Sequence, residues 1–253
     1  MRDLLTSYCR KAQKIVREEG IISFLIVASL NAIQLASSPL FSRRMGSYTR
    51  ERGIDEVVDY AFNGGFSIIR PFQVKSEITD LLKVLDQRRP RTIIEIGTAR
   101  GGTLFLLTRV AADDCLIISI DLMSSDFRGG YPEWKAPFYK SFAQKQQEVH
   151  LLRADSHDSA TREKVESILR GRKIDLLFID GDHSYAGVKR DFTVYSPLSA
   201  RGGIIAFHDI ADPKEGKYGV SEFWKEIKDS YTYRELIEDR KQGWAGIGIL
   251  YMK

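Results

Sequence analysis

The chain has few of the residues that mark a disulfide framework, a zinc site or a nucleic-acid-binding surface. Its 253 residues include two cysteines, Cys9 and Cys115, which lie too far apart for the C-x-x-C spacing of a metal or redox motif. The net charge is only +4, and no long basic run concentrates it, which disfavours a nucleic-acid partner. These absences predict a cytoplasmic protein with reduced cysteines.

No apolar run has the length of a membrane span. The longest begins at Ile21, is interrupted by Ser23 and Ser29, and falls short of the roughly 20 apolar residues that a spanning helix needs. Its late start also argues against a secretory signal. Arginines and lysines flank it on both sides, so residues 8–41 are interpreted in two ways. They form either a helix packed on the protein or on a second subunit, or a helix lying peripherally on an anionic membrane.

From Ile54 onward the hydrophobic pattern alternates between the periods of helix and strand, without repeats. This alternation predicts a Rossmann-like α/β fold, a doubly wound and mostly parallel sheet with helices on both faces. Two final apolar segments, Tyr231–Ile237 and Ala245–Met252, predict an antiparallel C-terminal strand pair. We therefore expect a helical N-terminal appendage over residues 1–52 and an α/β domain over residues 53–253.

The segment TIIEIGTARGGT, residues 92–103, predicts a strand, a glycine turn and a helix. Its spacing is E-x-G-x-x-x-G-G, formed by Glu95, Gly97, Gly101 and Gly102, and it is typical of a ligand-binding turn. It differs from the G-x-G-x-x-G of dinucleotide enzymes, where three glycines serve a pyrophosphate. A turn of this kind brings main-chain amides close to a nucleotide-like ligand.

Polar side chains follow the other predicted strands, at the sheet edge where ligands bind in such folds. The second strand ends at Asp121, a carboxylate suited to two ribose hydroxyls. The remaining strand ends contribute Asp155, Ser156, Asp180, His183, His208 and Asp209. Three of the four histidines of the chain, at positions 157, 183 and 208, fall at these ends, which favours a shared site.

With the segment FIDGDH and the later AFHD, the glycine motif resembles the class I S-adenosylmethionine-dependent methyltransferases. The similarity spans roughly residues 72–253 and is strongest to the branch of cephalosporin hydroxylase-like proteins and cation-dependent O-methyltransferases. It implies that S-adenosylmethionine is the cofactor and that the following residues contact it: Glu95, Gly97, Thr98, Gly101, Gly102, Thr103, Asp121, Asp155, Ser156 and Asp180. It also implies a divalent ion, Mg²⁺ or Mn²⁺, held by Asp180, His208 and Asp209. An imidazole ligand departs from the usual oxygen donors, so it favours Mn²⁺ or another transition ion, or leaves His208 outside the ligands of the ion as a base.

The chemistry expected from this resemblance is methyl transfer to a hydroxyl of a small-molecule acceptor. The hydroxyl must lose its proton, and Asp180, His183 and His208 are the predicted catalytic residues, with His183 as the preferred base. Two other classes stay open at this point: a dinucleotide-dependent oxidoreductase, and a non-catalytic cofactor-binding module docked to a membrane or a partner. A homo-oligomer is also open.

The loop from Met123 to Tyr139 is rich in glycine, proline and aromatic residues. It is interpreted as a lid over the substrate, as a fixed packing element over the cofactor, or as a dimer contact.

Overall fold

A seven-stranded sheet organises the protein. The computed structural model describes residues 45–64, 68–123, 130–211 and 219–253, and residues 45–253 form one compact unit. The strand order is β3-β2-β1-β4-β5-β7-β6, and the first five strands run parallel. The strands are β1 (Thr92–Ile96), β2 (Leu116–Asp121), β3 (Glu148–Arg153), β4 (Ile174–Ile179), β5 (Ser199–His208), β6 (Thr232–Leu236) and β7 (Ile247–Tyr251).

Seven α-helices accompany these strands in the described part of the chain. They are α1 (Ile54–Asn63), α2 (Lys75–Arg88), α3 (Gly102–Val110), α4 (Ala136–Lys140), α5 (Ser159–Leu169), α6 (Tyr185–Tyr195) and α7 (Val220–Ile227). Short 3-10 turns lie at Arg50–Arg52, Glu133–Lys135, Ser196–Leu198 and Lys228–Ser230. None of the helices that the structure describes is long and apolar enough to cross a membrane.

The sheet is buried on both faces because its central strands are almost wholly apolar. On one face, Ile94 and Ile96 of β1 join a cluster with Val165 of α5, Val188 of α6 and Trp224 of α7. Helices α1, α2 and α3 pack against one another and supply buried apolar side chains of their own, among them Val58, Leu82 and Phe105. This is the arrangement that continuous apolar strands require.

The predicted fold class is confirmed. β7 runs antiparallel to both β5 and β6, so the C-terminal pair lies in the sheet as expected. The fifth strand is the longest of the seven, since it runs from Ser199 to His208. Its pairing with β4 shifts register between Ile174 and Leu176, where Gly202 takes a left-handed φ of 78°.

Residues 1–44 lie outside the described residues. The expected appendage over residues 1–52, its boundary with residues 53–253 and the expected membrane contact through residues 8–41 therefore stay predictions. The first described residue, Met45, is buried, and its carbonyl accepts a hydrogen bond from Arg109 at 3.2 Å.

The turn after β1 meets the end of β4 too closely to admit a side chain at Gly97. This residue has a φ of 98°, and a Cβ placed on it would lie 2.0 Å from the carbonyl oxygen of Asp180. Asp180 is tied to the same turn, because its N–H donates to the carbonyl of Ile96 at 2.8 Å. The glycine therefore sets how near the β1 turn lies to the first residue after β4.

We predict that Gly97→Ala lowers the free energy of unfolding by about 2–5 kcal/mol, since overpacking adds to left-handed backbone strain. Urea denaturation measures the change. Gly202→Ala is the matched control, because Gly202 also has a positive φ but has open space where a Cβ would lie. The control should lose only about 1–2 kcal/mol. Equal losses in the two variants would contradict the close approach.

Candidate active site

The glycine turn and the end of β2 are joined by the carboxylate of Asp121. Its Oδ2 accepts the N–H groups of Thr98 at 3.0 Å and Ala99 at 2.7 Å, and its Oδ1 accepts that of Leu122 at 2.7 Å. Burial raises the pKa of Asp121, although these main-chain donors oppose the shift. The predicted ribose-binding acid thus lies beside the turn, as the strand positions require.

Glu95 is fully buried at the base of the turn. Ser119 donates a hydrogen bond to its Oε2 at 2.5 Å, and Thr98 hydrogen-bonds in turn to the Ser119 hydroxyl. The other oxygen, Oε1, is buried and has no hydrogen-bond partner among the described residues. Burial, helped by the charges of Asp121 and Asp180 and opposed by the Ser119 hydrogen bond, raises the pKa of Glu95 to about 8. Such an orphaned polar atom fits a residue that contacts a ligand.

Two carboxylates and two imidazoles meet at the ends of β4 and β5. Nδ1 of His208 lies 3.0 Å from Oδ1 of Asp180 and 3.5 Å from Oδ1 of Asp209. Nδ1 of His183 lies 2.5 Å from Oδ2 of Asp209, and its Nε2 lies 3.7 Å from Oδ1 of Asp180. The four residues that the sequence predicted for acceptor chemistry are therefore brought into one cluster.

Charge pairing governs protonation in this cluster. Burial alone would lower the pKa of both histidines, but the nearby carboxylates outweigh it, so the pKa of His183 is raised and that of His208 is raised well above its usual value. The pKa of Asp209 is lowered, because the two imidazoles outweigh its desolvation. Nε2 of His208 is buried, and no residue in the described part of the chain hydrogen-bonds to it.

Gln73 is a site residue to which the sequence analysis assigned no role. Its Nε2 donates to Oδ2 of Asp180 at 2.8 Å, and its Oε1 accepts from the Thr103 hydroxyl at 2.9 Å. Because Thr103 lies in the first turn of α3, the buried amide links the glycine-turn helix to the acceptor-side carboxylate. Its position just before α2, far from the motifs in sequence, gave no signal of this contact.

Asp155 and Ser156 follow β3 as predicted, but their side chains have local partners. Ser156 donates to Oδ1 of the fully buried Asp191 at 2.7 Å, and the exposed Asp155 accepts the N–H of His157 at 2.8 Å. His157 also lies against Asp191, at 3.3 Å, and away from the other histidines. His157, the third histidine that follows a strand, thus belongs to a separate contact, which holds the loop after β3 against Asp191.

Asp180, His183 and Asp209 each offer one atom to a group whose members lie within 4.8 Å of one another, which is close enough to hold a metal ion. The sequence predicted Asp180, His208 and Asp209. The two sets share both carboxylates and differ in the histidine. An imidazole with two carboxylates suits Mn²⁺ or another transition ion better than Mg²⁺.

The described part of the aromatic loop is packed into the protein. Tyr131, Phe138 and Tyr139 are buried, and the Tyr139 hydroxyl donates to the carbonyl of Ala99 at 3.0 Å. Its ring lies 2.7 Å from where a Cβ on Gly101 would be. Residues 131–139 therefore act as a packing element over the glycine turn, whereas residues 124–129 lie outside the described part.

Residues 94–210 match a family described as "Methyltransferase domain". Two curated relatives are uncharacterized proteins: y4gI of Sinorhizobium fredii, 30% identical over 55% of this chain, and R132 of Acanthamoeba polyphaga mimivirus, 32% identical over 56%. The chain spans only 15% and 62%, respectively, of the length of these relatives.

Solved structures share the fold at low identity. They include the O-methyltransferase TomG from Streptomyces achromogenes with SAM (17% identity, TM-score 0.50) and an O-methyltransferase from Bacillus cereus with SAH (18%, 0.50), each covering 79% of this chain and 90% of its own. CalS11, a TDP-rhamnose 3'-O-methyltransferase, is 18% identical with a TM-score of 0.53, over 81% of this chain and 93% of its own. The likeness shows a common fold.

The raised pKa of Glu95 predicts a pH-dependent stability. Below about pH 4.5, the ordinary value, folded and unfolded chains both hold the proton; above it only the folded chain does, so stability falls as the pH rises toward 8. Glu95→Gln cannot ionise and should be more stable than the parent at pH 8, by on the order of 1–4 kcal/mol. The difference should shrink toward pH 5 in denaturant titrations.

The control for this prediction is the exposed Glu163, whose replacement by Gln should leave the pH profile of stability unchanged. A Glu95→Gln variant whose stability parallels that of the parent from pH 5 to pH 8 would show that the folded protein does not retain this proton.

Proposed function

We propose that the chain is a class I, S-adenosylmethionine-dependent methyltransferase that methylates a hydroxyl oxygen of a small molecule, and the match of residues 94–210 to a methyltransferase domain supports this. The observation that carries the proposal is the contact between the two halves of the site. Gly97 of the cofactor turn lies directly against the carbonyl of Asp180, and the Asp180 side chain belongs to the carboxylate and imidazole cluster. A methyl donor in the turn and an acceptor hydroxyl at the cluster would be neighbours.

On the cofactor side, the proposal assigns binding to the turn and to the acid that follows β2. The amides of Thr98 and Ala99 and the carboxylate of Asp121 already lie together, and binding of a ribose would replace some of these contacts with its hydroxyls. Glu95, whose Oε1 has no partner, would face the amino acid end of the cofactor. Gly101, Gly102 and Thr103 begin α3 and keep the turn close to the ligand.

On the acceptor side, the chain must position a hydroxyl and receive its proton. Correct orientation of the two reactants can lower the activation barrier by about 7–11 kcal/mol, so positioning is the larger of these two contributions. We assign the proton to Nε2 of His183, because Asp209 holds the opposite ring nitrogen at 2.5 Å and orients the imidazole. His208 is buried deeper and orients Asp180.

The cluster also fits a divalent cation, with Asp180 and Asp209 as common ligands and His183 or His208 as the third. Bound there, such an ion would lower the pKa of an acceptor hydroxyl and fix its direction. If His183 is the third ligand, its imidazole is not free to act as the base. Whether ion binding requires His183 therefore decides whether this residue is a ligand of the ion or the base.

Binding of S-adenosylhomocysteine tests the cofactor assignment. At about 100 times its dissociation constant it should stabilise the protein by about 2.7 kcal/mol, which a thermal-unfolding titration detects. Asp121→Ala should weaken this binding at least tenfold while leaving the fold intact. Asp229→Ala, an exposed carboxylate on a different edge, is the control. Stabilisation by NADH instead would favour a dinucleotide oxidoreductase.

Mn²⁺ binding tests the acceptor-side cluster without a known acceptor. We predict that Mn²⁺ raises the unfolding temperature, and that Asp180→Asn and Asp209→Asn each abolish this rise while still binding S-adenosylhomocysteine. His183→Gln and His208→Gln then identify which imidazole is a ligand. An unchanged response to Mn²⁺ in both Asn variants would rule out a cation at this cluster and leave His183 as the base.

A further inference from the structure

A cavity lies at the end of the sheet opposite to the candidate active site. Its volume is about 290 Å³, and its lining includes Arg89, Asp113 and Lys145. These three residues precede β1, β2 and β3 respectively, so they lie at the amino ends of the strands. The residues of the candidate active site follow their strands, at the carboxyl ends. The two sites are therefore separated by the length of the strands.

The lining of this cavity is basic. Four cations, Arg50, Arg89, Arg109 and Lys145, face it together with two carboxylates, Glu51 and Asp113. Asp113 is shared, since its Oδ1 pairs with Nη2 of Arg89 at 2.8 Å and its Oδ2 with Nζ of Lys145 at 2.7 Å. One carboxylate thus serves two cations. Arg50 is paired with Asp86 at 2.6 Å, so the four cations face three carboxylates, Glu51, Asp86 and Asp113, and a surplus of one positive charge remains.

Arg109 is the member of the set that has no counter-charge among the described residues. Its side chain is 2% exposed, and its guanidinium donates to the Thr108 hydroxyl and to the main-chain carbonyls of Phe142 and Met45, all of them neutral. No carboxylate of the described residues pairs with it, and its Nε is buried without a hydrogen-bond partner. The guanidinium also stacks on the Phe105 ring, 4.2 Å from its centroid. A buried charge without a partner of opposite sign is costly, and an anion bound in the cavity would supply one.

We propose that this cavity binds a phosphate-bearing anion. Guanidinium groups suit phosphate oxygens because their N–H donors form a planar fork, and a lysine beside them adds a mobile point charge. The cavity is close to the lower size limit of small-molecule sites, which fits a phosphate group with a small attached moiety. The C-terminal end of α3 lies here and disfavours an anion, but its dipole amounts to only about half a charge, less than the surplus of the lining.

Inorganic phosphate and pyrophosphate are the probes. Either should raise the midpoint of thermal unfolding by several degrees above the effect of sodium chloride at the same ionic strength. Arg89→Gln and Lys145→Gln should each reduce that shift by at least half, and neither touches the buried contacts of Arg109. Arg162→Gln is the matched control, because Arg162 is a cation paired with Glu166 on α5, away from the cavity.

Vesicles distinguish the two sources of a phosphate group. Cosedimentation with phosphatidic acid vesicles but not with phosphatidylcholine vesicles, weakened in the Arg89→Gln and Lys145→Gln variants, would identify a lipid headgroup. A phosphate-specific shift without vesicle binding would identify a free phosphorylated molecule. The absence of a phosphate-specific shift in the parent protein, or an equal shift in the two variants, would overturn the proposal. Binding of S-adenosylhomocysteine in the same samples is independent of it.

Discussion

The candidate site depends on one steric contact, the approach of the β1 turn to the end of β4 at Gly97. With a Cβ at that position 2.0 Å from the carbonyl of Asp180, only glycine allows the two strand ends to lie this close. The approach brings the Glu95 and Asp121 side of the site next to the Asp180 and Asp209 side. A transfer reaction between two bound molecules needs such adjacency, because orientation is the largest contribution that the protein can make.

Buried polar atoms that lack a hydrogen-bond partner among the described residues lie on both sides of the candidate site. Oε1 of Glu95 and Nε2 of His208 are both buried without hydrogen bonds, one on each side of the Gly97 contact. Buried polar groups in folded proteins are nearly always paired, so each exception needs an explanation. A cofactor beside Glu95 and an acceptor or ion beside His208 would account for both.

The sequence predicted the parts of the structure that follow from local pattern. Apolar periodicity placed the parallel strands, and the positions just after them placed Asp121, Asp180, His183 and Asp209 at one edge, because the carboxyl ends of parallel strands coincide. Gln73 could not be predicted this way, since its contact with Asp180 joins residues 107 positions apart.

His157 shows the other limit of sequence reasoning. A histidine after a strand looks alike whether it faces the ligand edge or a neighbouring helix, and here α6 decides, because its buried Asp191 holds His157 and Ser156.

The cation ligands implied by the resemblance, Asp180, His208 and Asp209, stay a prediction, because the structure brings His183 as well as His208 to the two carboxylates. Side chains of consecutive residues in a regular strand point to opposite faces, which would separate the side chains of His208 and Asp209. Asp209 leaves the strand with a left-handed φ of 62°, which turns its carboxylate toward His183 as well as toward His208. Both imidazoles consequently contact the same pair of acids. One of them can then serve a cation while the other holds or receives a proton, a division of labour that a single histidine could not provide.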